Sequence, residues 1–162
     1  MKTLWILLTL LATPLWAGEA FSTRFPGVWH GIGIQIDAQE WPMELRLSPG
    51  AAEVEYPSLQ CGGNWRFLKE TPDQIVAVEK VTYGLDECLD GGLVRLESYQ
   101  DSLLVYRWYD NAGKAVAGAV LIEGPMRPGT EKALLRLTIE ALGKGFVKGE
   151  DTTDVDIGDI RI

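Results

Sequence analysis

The sequence predicts a mainly β domain, a small antiparallel eight-stranded barrel with one C-terminal α-helix. Residues 28–123 contain eight short segments in which apolar and polar side chains alternate, as in strands with one buried face. Turn-rich connections separate consecutive segments, which favours an antiparallel meander closed into a barrel, or a sandwich. Residues 130–145 have helical spacing instead.

The first seventeen residues, MKTLWILLTLLATPLWA, have the form of a secretory signal peptide. Lys2 precedes an apolar stretch from Leu4 to Leu11, and Ala17 supplies the small residue before a cleavage site. The alternative is an N-terminal anchor helix, but the apolar stretch is too short for a membrane span. We therefore expect a periplasmic or secreted protein with no integral membrane segment after cleavage.

The charge of the mature chain limits its partners. Cleavage after Ala17 leaves 145 residues with 14 basic and 23 acidic side chains, a net charge of −9. This length suffices for one domain with a real core. The negative charge disfavours nucleic acid and anionic membranes as partners. It permits a basic protein partner, although solubility alone explains it equally well.

The predicted strands follow one another at short intervals. In the first of them, Gly27, Gly31 and Gly33 indicate a sharp bend or a close backbone approach that leaves room beside Trp29, because glycine weakens a strand. We predict strands at residues 28–36, 41–48, 52–57, 64–70, 74–83, 93–98, 102–109 and 115–123.

The C-terminal part divides into a helix and an acidic tail. In residues 130–145, Leu135, Ile139 and Leu142 form an apolar stripe, so we expect this helix to pack on the barrel rather than bind a partner. The aspartates of residues 146–162 do not have the spacing of a calcium-binding loop, which indicates a solvated tail or a late strand. The predicted organisation is a signal peptide (1–17), a β-barrel domain (18–123) and a C-terminal helix with an acidic tail (124–162).

Cys61 and Cys88 are the two cysteines of the chain, and an exported protein allows such a pair to form a disulfide. The bridge would close a loop of about 28 residues and stabilise the fold by roughly 3–4 kcal/mol on the chain-entropy model. Two cysteines and the single histidine, His30, make a poor zinc site. We therefore predict a disulfide, no metal and no other cofactor.

The segment YPSLQCGGNW (56–65) places Cys61 near a predicted corner. Pro57 ends the preceding strand, because proline cannot donate to a central ladder. Gly62 and Gly63 are predicted to turn the chain into the strand that begins at Asn64. A bridge from this corner to the turn YGLDECLDGG would then tie two loops together at one end of the barrel.

Two short patterns resemble known families. Gly27-Val28-Trp29 resembles the G-x-W signature at the start of lipocalins and related calycin barrels. That resemblance implies that Gly27 and Trp29 belong to the closure of one barrel end. It also implies an arginine from a late strand as a cover for the tryptophan, for which Arg107 is the candidate.

The second pattern covers roughly residues 25 to 123. The segments YPSL-x-CGG (56–63) and E-x4-G-x3-C-x2-G (79–91) resemble those of a family of small secreted bacterial β-domains of unknown function. The resemblance implies the fold, export and the disulfide, and it implies no activity.

Glu79 is the first candidate site residue, because alternation places it on one face with Ile75 and Ala77. If that face is interior, the carboxylate needs a partner or has a raised pKa. Alternatively, Val76 and Val78 face inward and Glu79 pairs with a surface cation. A structural buried pair, a surface role and a ligand contact all stay open. Candidate partners of a buried Glu79 are Arg95, Arg107, Tyr56 and His30.

The aromatic side chains are the second candidate feature. They either line a pocket in the barrel mouth or fill the core of a barrel too small to be hollow. The set comprises Trp29, Trp41, Trp65, Phe67, Tyr106 and Trp108. We predict a ligand site formed by Glu79, Tyr56, Tyr106 and Trp108.

The functional hypothesis is an exported, non-enzymatic binding module. It takes a small apolar ligand in the barrel mouth or a protein partner on its loops. The alternative is a periplasmic inhibitor or immunity protein against a lytic enzyme or a protease, by analogy of architecture. An enzyme that uses Glu79 and His30 comes third. The chain contains no G-x-S-x-G motif and no catalytic constellation above background, so we predict no catalytic residues.

Overall fold

The computed structural model describes residues 18–100 and 102–143, which form a closed barrel of eight antiparallel strands with one C-terminal helix. Consecutive strands pair in chain order, and the first also pairs with the last. The predicted fold class is confirmed, and the strand bounds differ from those predicted by at most three residues. The strands are β1 (Gly27–Gln35), β2 (Glu40–Ser48), β3 (Ala51–Tyr56), β4 (Cys61–Glu70), β5 (Gln74–Tyr83), β6 (Leu93–Tyr99), β7 (Leu103–Tyr109) and β8 (Ala115–Glu123).

Two predicted segments cannot be compared with this structure. The signal peptide (1–17) lies outside the described residues, and so does the acidic tail (146–162).

The alternating pattern of the strands separates the interior of the barrel from its outer face. In β2, Trp41, Met43 and Leu45 are buried inside, whereas Glu44 and Arg46 lie on the outer face. All eight strands contribute apolar side chains to this interior core. One wet and one dry face is the expected arrangement for antiparallel strands, and closure leaves the sheet without an open edge.

The two ends of the barrel differ. The connections after β2, β4 and β6 lie at one end, which we call the closed end, and those after β1, β3, β5 and β7 lie at the open end. A single helical turn, α1 (Phe21–Arg24), covers the closed end and was not predicted. The Phe21 N–H donates to the carbonyl of Thr71 at 3.1 Å, and the Phe21 side chain is fully buried.

Trp29 also lies in the core and is linked to the segment that leads from α1 into β1. Its indole N–H donates to the carbonyl of Phe25 at 3.1 Å, and the two rings meet edge to face. Arg107 does not cover it, because the guanidinium bonds the Glu97 carboxylate and the carbonyl of Ala141. The expected arginine cover by Arg107 was therefore wrong, whereas Gly27 and Trp29 stand at the start of β1 as the resemblance implied.

The glycines of β1 admit close neighbours rather than leaving space. A Cβ atom on Gly33 would overlap the ring of Trp41, and one on Gly31 would meet the side chain of Leu121. The room expected beside Trp29 is therefore occupied. Gly33 lets the large indole of Trp41 lie against the wall of β1, which places that ring inside the barrel.

The helix α2 (Glu131–Leu142) packs across the outer face of β1 and β8, as predicted. Leu135, Ile139 and Leu142 contact a second apolar cluster outside the barrel. The hydroxyl of Thr138, which is fully buried, accepts the Val120 N–H at 2.9 Å. It donates to the carbonyl of Ile32 at 3.2 Å. This side chain therefore joins α2 to the first and last strands where the barrel closes.

Replacement of Thr138 tests that junction. Thr138→Val keeps the shape but leaves the Val120 N–H and the Ile32 carbonyl without this partner, so we expect unfolding to become easier by roughly 2–3 kcal/mol. Thr138→Ser keeps the hydroxyl and loses one methyl group, which costs about 1 kcal/mol. Urea denaturation followed by tryptophan fluorescence measures both variants. A valine variant as stable as the serine variant would contradict the assignment.

Candidate functional site

A cavity of about 130 Å³ opens at the open end of the barrel. Its walls come from the barrel interior and from the connections after β3 and β5, and they are more apolar than polar. Small ligands bind preferentially in concave apolar sites with a few polar groups, and the mouths of barrels are common places for them. The lining residues are Gln35, Trp41, Tyr56, Leu59, Glu79, Glu87, Cys88, Leu89, Tyr106, Trp108, Val116 and Ala117.

Glu79 supplies the buried carboxylate of this cavity. It projects inward from β5 and is 3 % exposed. Its Oε2 accepts the hydroxyl proton of Tyr56 at 2.8 Å and the indole N–H of Trp65 at 3.0 Å. Of the candidate partners that the sequence left open, Tyr56 is the one that the structure provides. The alternative in which Val76 and Val78 face inward was wrong, because both contribute to the apolar cluster outside the barrel.

The second tyrosine extends the hydrogen-bonded chain. The hydroxyls of Tyr56 and Tyr106 lie 3.0 Å apart. Since Tyr56 gives its single proton to Glu79, Tyr106 donates to Tyr56. Burial, reinforced by the nearby Glu79, raises the pKa of both phenols well above their usual range. Both hydroxyls therefore stay protonated and remain donors at neutral pH.

Burial also changes the protonation of Glu79 itself. Loss of solvent raises its pKa from 4.5 to about 7, although the hydrogen bonds from Tyr56 and Trp65 act in the opposite direction. None of the ion pairs among the described residues includes Glu79. Its donors are neutral groups, so the carboxyl is poised between its neutral and charged forms near pH 7.

Aromatic rings surround the carboxyl group. Trp41 meets Tyr56 edge to face, with ring centroids 5.2 Å apart. Trp65 stacks on Tyr106 at 5.8 Å. Trp108, which is half-buried, lies over Gly92, where a Cβ atom would overlap its ring. The predicted aromatic set therefore serves both roles, since it fills the interior and lines the cavity.

The disulfide predicted between Cys61 and Cys88 is present. It ties the start of β4 to the connection between β5 and β6 (residues 84–92), which forms part of the cavity wall. This connection also folds back on β5, because the Asp90 carboxylate accepts the Val81 N–H at 2.8 Å. The connection that forms this part of the cavity wall is thus held by the disulfide and by the hydrogen bond of its Asp90 carboxylate.

The predicted corner at Gly62 and Gly63 was wrong. Both glycines lie inside β4, which begins at Cys61, and the ladder with β5 shifts register between them. The chain turns earlier, in a short 3₁₀ segment at Pro57–Leu59, and Gln60 adopts the left-handed conformation at φ 54°. Pro57 therefore ends β3 as predicted, and the turn follows it directly.

The four residues predicted as ligand contacts, Glu79, Tyr56, Tyr106 and Trp108, all line the cavity. Their contact with a ligand stays a prediction. Gln35 and Glu87 also line the cavity, and neither was predicted as a ligand-contact residue. The meander topology was the available signal, because it brings the ends of β1 and β5 to the same end of the barrel.

His30 lies away from this site. It projects outward from β1, where its Nε2 lies 3.3 Å from the Glu44 carboxylate. Glu79 projects into the barrel, so the wall of the sheet separates the two side chains. Among residues 18–100 and 102–143, no three acidic, histidine or cysteine side chains form a group that could hold a metal ion.

Comparisons of the chain with protein-family models, with curated proteins and with solved structures found no match. Within the described residues, no helix has the length and apolar character that a membrane span requires.

The raised pKa of Glu79 predicts a pH-dependent stability. Between about pH 4.5 and 7 the folded state binds more protons than the unfolded chain, so stability falls as the pH rises through this range. Glu79→Gln removes the charge and keeps the shape. We expect it to match the native protein near pH 4.5 and to be more stable by about 3 kcal/mol at pH 8.

Urea denaturation at both pH values measures this difference. Glu53→Gln is the matched control, because Glu53 is an exposed residue of β3 and its loss should change stability by less than about 0.5 kcal/mol. Parallel stability curves for the native protein and Glu79→Gln would show that Glu79 does not titrate as described.

Proposed function

We propose that this protein is an exported, non-enzymatic binding module that takes a small, mainly apolar ligand in the open end of its barrel. The observation that carries the proposal is the cavity of about 130 Å³ in which aromatic side chains surround one buried carboxyl group. Apolar walls with a few fixed polar groups are typical of ligand sites rather than of packed cores.

The size of the cavity limits the ligand. An apolar cavity of about 150 Å³ holds benzene, so the buried part of the ligand is no larger than a single small ring or a short branched chain. A larger molecule would enter with one end only. The asymmetry of the barrel supports entry from the open end, because α1 covers the opposite end.

Export is supported by two features. The first seventeen residues have the form of a signal peptide, and the disulfide between Cys61 and Cys88 is typical of oxidising compartments. The proposed location is therefore the periplasm or the exterior of the cell.

A binding role is preferred to a catalytic one because the hypothesis of an enzyme depended on Glu79 and His30 together. They lie on opposite faces of the sheet, and His30 contacts Glu44. Cys88 lies in the cavity lining, but its sulfur is held in the disulfide. These placements separate the two residues on which the enzyme hypothesis depended, and they leave no free thiol from Cys88 in the cavity.

The second candidate function is recognition of a protein by the connection at residues 84–92. Leu85 and Leu89 are 60 % and 75 % exposed, so this tethered loop presents two large apolar side chains to solvent. An exposed apolar loop beside a cavity is the arrangement that an inhibitor or immunity protein against a lytic enzyme or a protease would present. Both candidate functions therefore place the bound partner at the open end of the barrel.

Filling the cavity tests the proposed function. Ala117 is a buried lining residue of β8, and Ala117→Leu places three more carbon atoms in or beside the cavity. We expect toluene to shift the amide resonances of the open end in the native protein and to lose at least about tenfold in affinity in the variant. The matched control, Ala112→Leu, makes the same change in the exposed turn after β7 and should bind toluene as the native protein does.

Titrations followed by two-dimensional NMR measure these affinities and show at the same time whether each variant is folded. Toluene that leaves the resonances of the native protein unchanged would overturn the proposal and favour the protein-recognition alternative. Equal affinities of the native protein and Ala117→Leu would place the bound molecule elsewhere.

A further inference from the structure

The charges in the cavity lining all have one sign. Glu79 and Glu87 are the two titratable carboxyl groups in the lining, and no lysine or arginine accompanies them there. Lys80, the nearest basic residue in sequence, is exposed and pairs with Asp90. The cavity therefore presents a negative potential to anything that enters it.

Glu79 has one oxygen that its protein partners do not use. The hydroxyl of Tyr56 and the indole N–H of Trp65 both bond Oε2. Among the hydrogen bonds of the described residues none goes to Oε1, although Glu79 is 3 % exposed and lines the cavity. Oε1 is not fully buried, and Glu79 lines the cavity, so this oxygen is an acceptor position that a donor entering the cavity can reach.

The rings around this position add a second preference. Trp41, Tyr106 and Trp108 contribute aromatic surface to the cavity lining. The faces of such rings carry negative electrostatic potential and attract organic cations, most strongly in desolvated sites. A neutral apolar ligand would use the ring surfaces but would leave Oε1 unpaired.

We propose that the ligand is a small organic cation, a protonated amine whose N–H donates to Oε1 of Glu79 while its apolar substituent lies against Trp41, Tyr106 and Trp108. This inference rests on the proposed function, since it names the chemical class of ligand for the same cavity. The Glu79 carboxylate positions the ammonium group and neutralises its charge, and the aromatic rings supply the apolar contacts.

Binding of such a cation is linked to the proton of Glu79. The groups that face this carboxyl are Tyr56 and Tyr106, whose raised pKa values keep them protonated, and Asp90, whose pKa is lowered by Lys80. Burial raises the pKa of the Glu79 carboxyl to about 7, and the negative charge of Asp90 acts in the same direction. Because the amine binds the ionised form, its affinity should fall about tenfold for each pH unit below that value.

Benzylammonium and benzyl alcohol provide matched probes, because they have nearly the same shape and differ in charge. Titrations of the native protein at pH 8 and pH 5.5, followed by NMR, give both affinities. We expect benzylammonium to bind at least about tenfold more tightly than benzyl alcohol at pH 8, and to lose most of that advantage at pH 5.5. Glu79→Gln should abolish the preference at both pH values and retain benzyl alcohol, which shows that its cavity is intact.

Asp86→Asn serves as the control for general charge attraction, because Asp86 is exposed in the connection at residues 84–92 and is not a lining residue of the cavity. This variant should keep both the preference and its pH dependence. Benzyl alcohol that binds as tightly as benzylammonium, or a preference that survives Glu79→Gln, would overturn the inference and leave the proposed function in place. Failure of both probes to bind the native protein would overturn the inference and the proposed function together.

Discussion

The buried carboxyl group of Glu79 is the constraint on which the open end of the barrel depends. A polar group in an apolar interior is costly unless donors reach it, and Tyr56 of β3 and Trp65 of β4 both reach Oε2. Tyr106 of β7 joins them through Tyr56. Three strands bring these three side chains together. Tyr56 and Tyr106 line the cavity, and Trp65 supports it. With an apolar residue at position 79, the hydroxyls and the indole would lack their common acceptor.

The cavity itself follows from where bulky side chains are allowed to lie. An eight-stranded barrel is just wide enough for its own side chains, so space remains only if some of them lie against the wall. Gly33 admits the ring of Trp41, and Gly92 admits that of Trp108. The disulfide and Asp90 hold the segment that carries Gly92 in place. At the other end α1 buries Phe21, whose side chain belongs to the interior core.

The sequence predicted the strands and their faces because period-two alternation is strong in most of them. It therefore grouped Tyr106 with the aromatic side chains of the interior or the barrel mouth, whereas it left both faces open for Glu79. It missed α1, since four residues are too few for helical periodicity to show. It also misread Gly62 and Gly63 as a turn, because local composition does not distinguish a turn glycine from one that faces a close neighbouring strand. Trp65 as the donor to Glu79, and Glu87 at the rim, depend on register and loop conformation, which no single segment encodes.

Glu79 joins three strands, but its carboxylate does not stabilise the fold above pH 7. Buried ion pairs offset part of their desolvation by mutual attraction, but no described cation faces Glu79, and its donors are neutral. Above pH 7 the ionisation of the buried carboxyl is therefore a cost to folding that no described cation offsets. Groups that destabilise a fold and sit in a cleft are typical of functional sites. The proposed cation beside Oε1 would offset part of this cost by its attraction to the carboxylate. Above pH 7 its binding would therefore stabilise the folded protein.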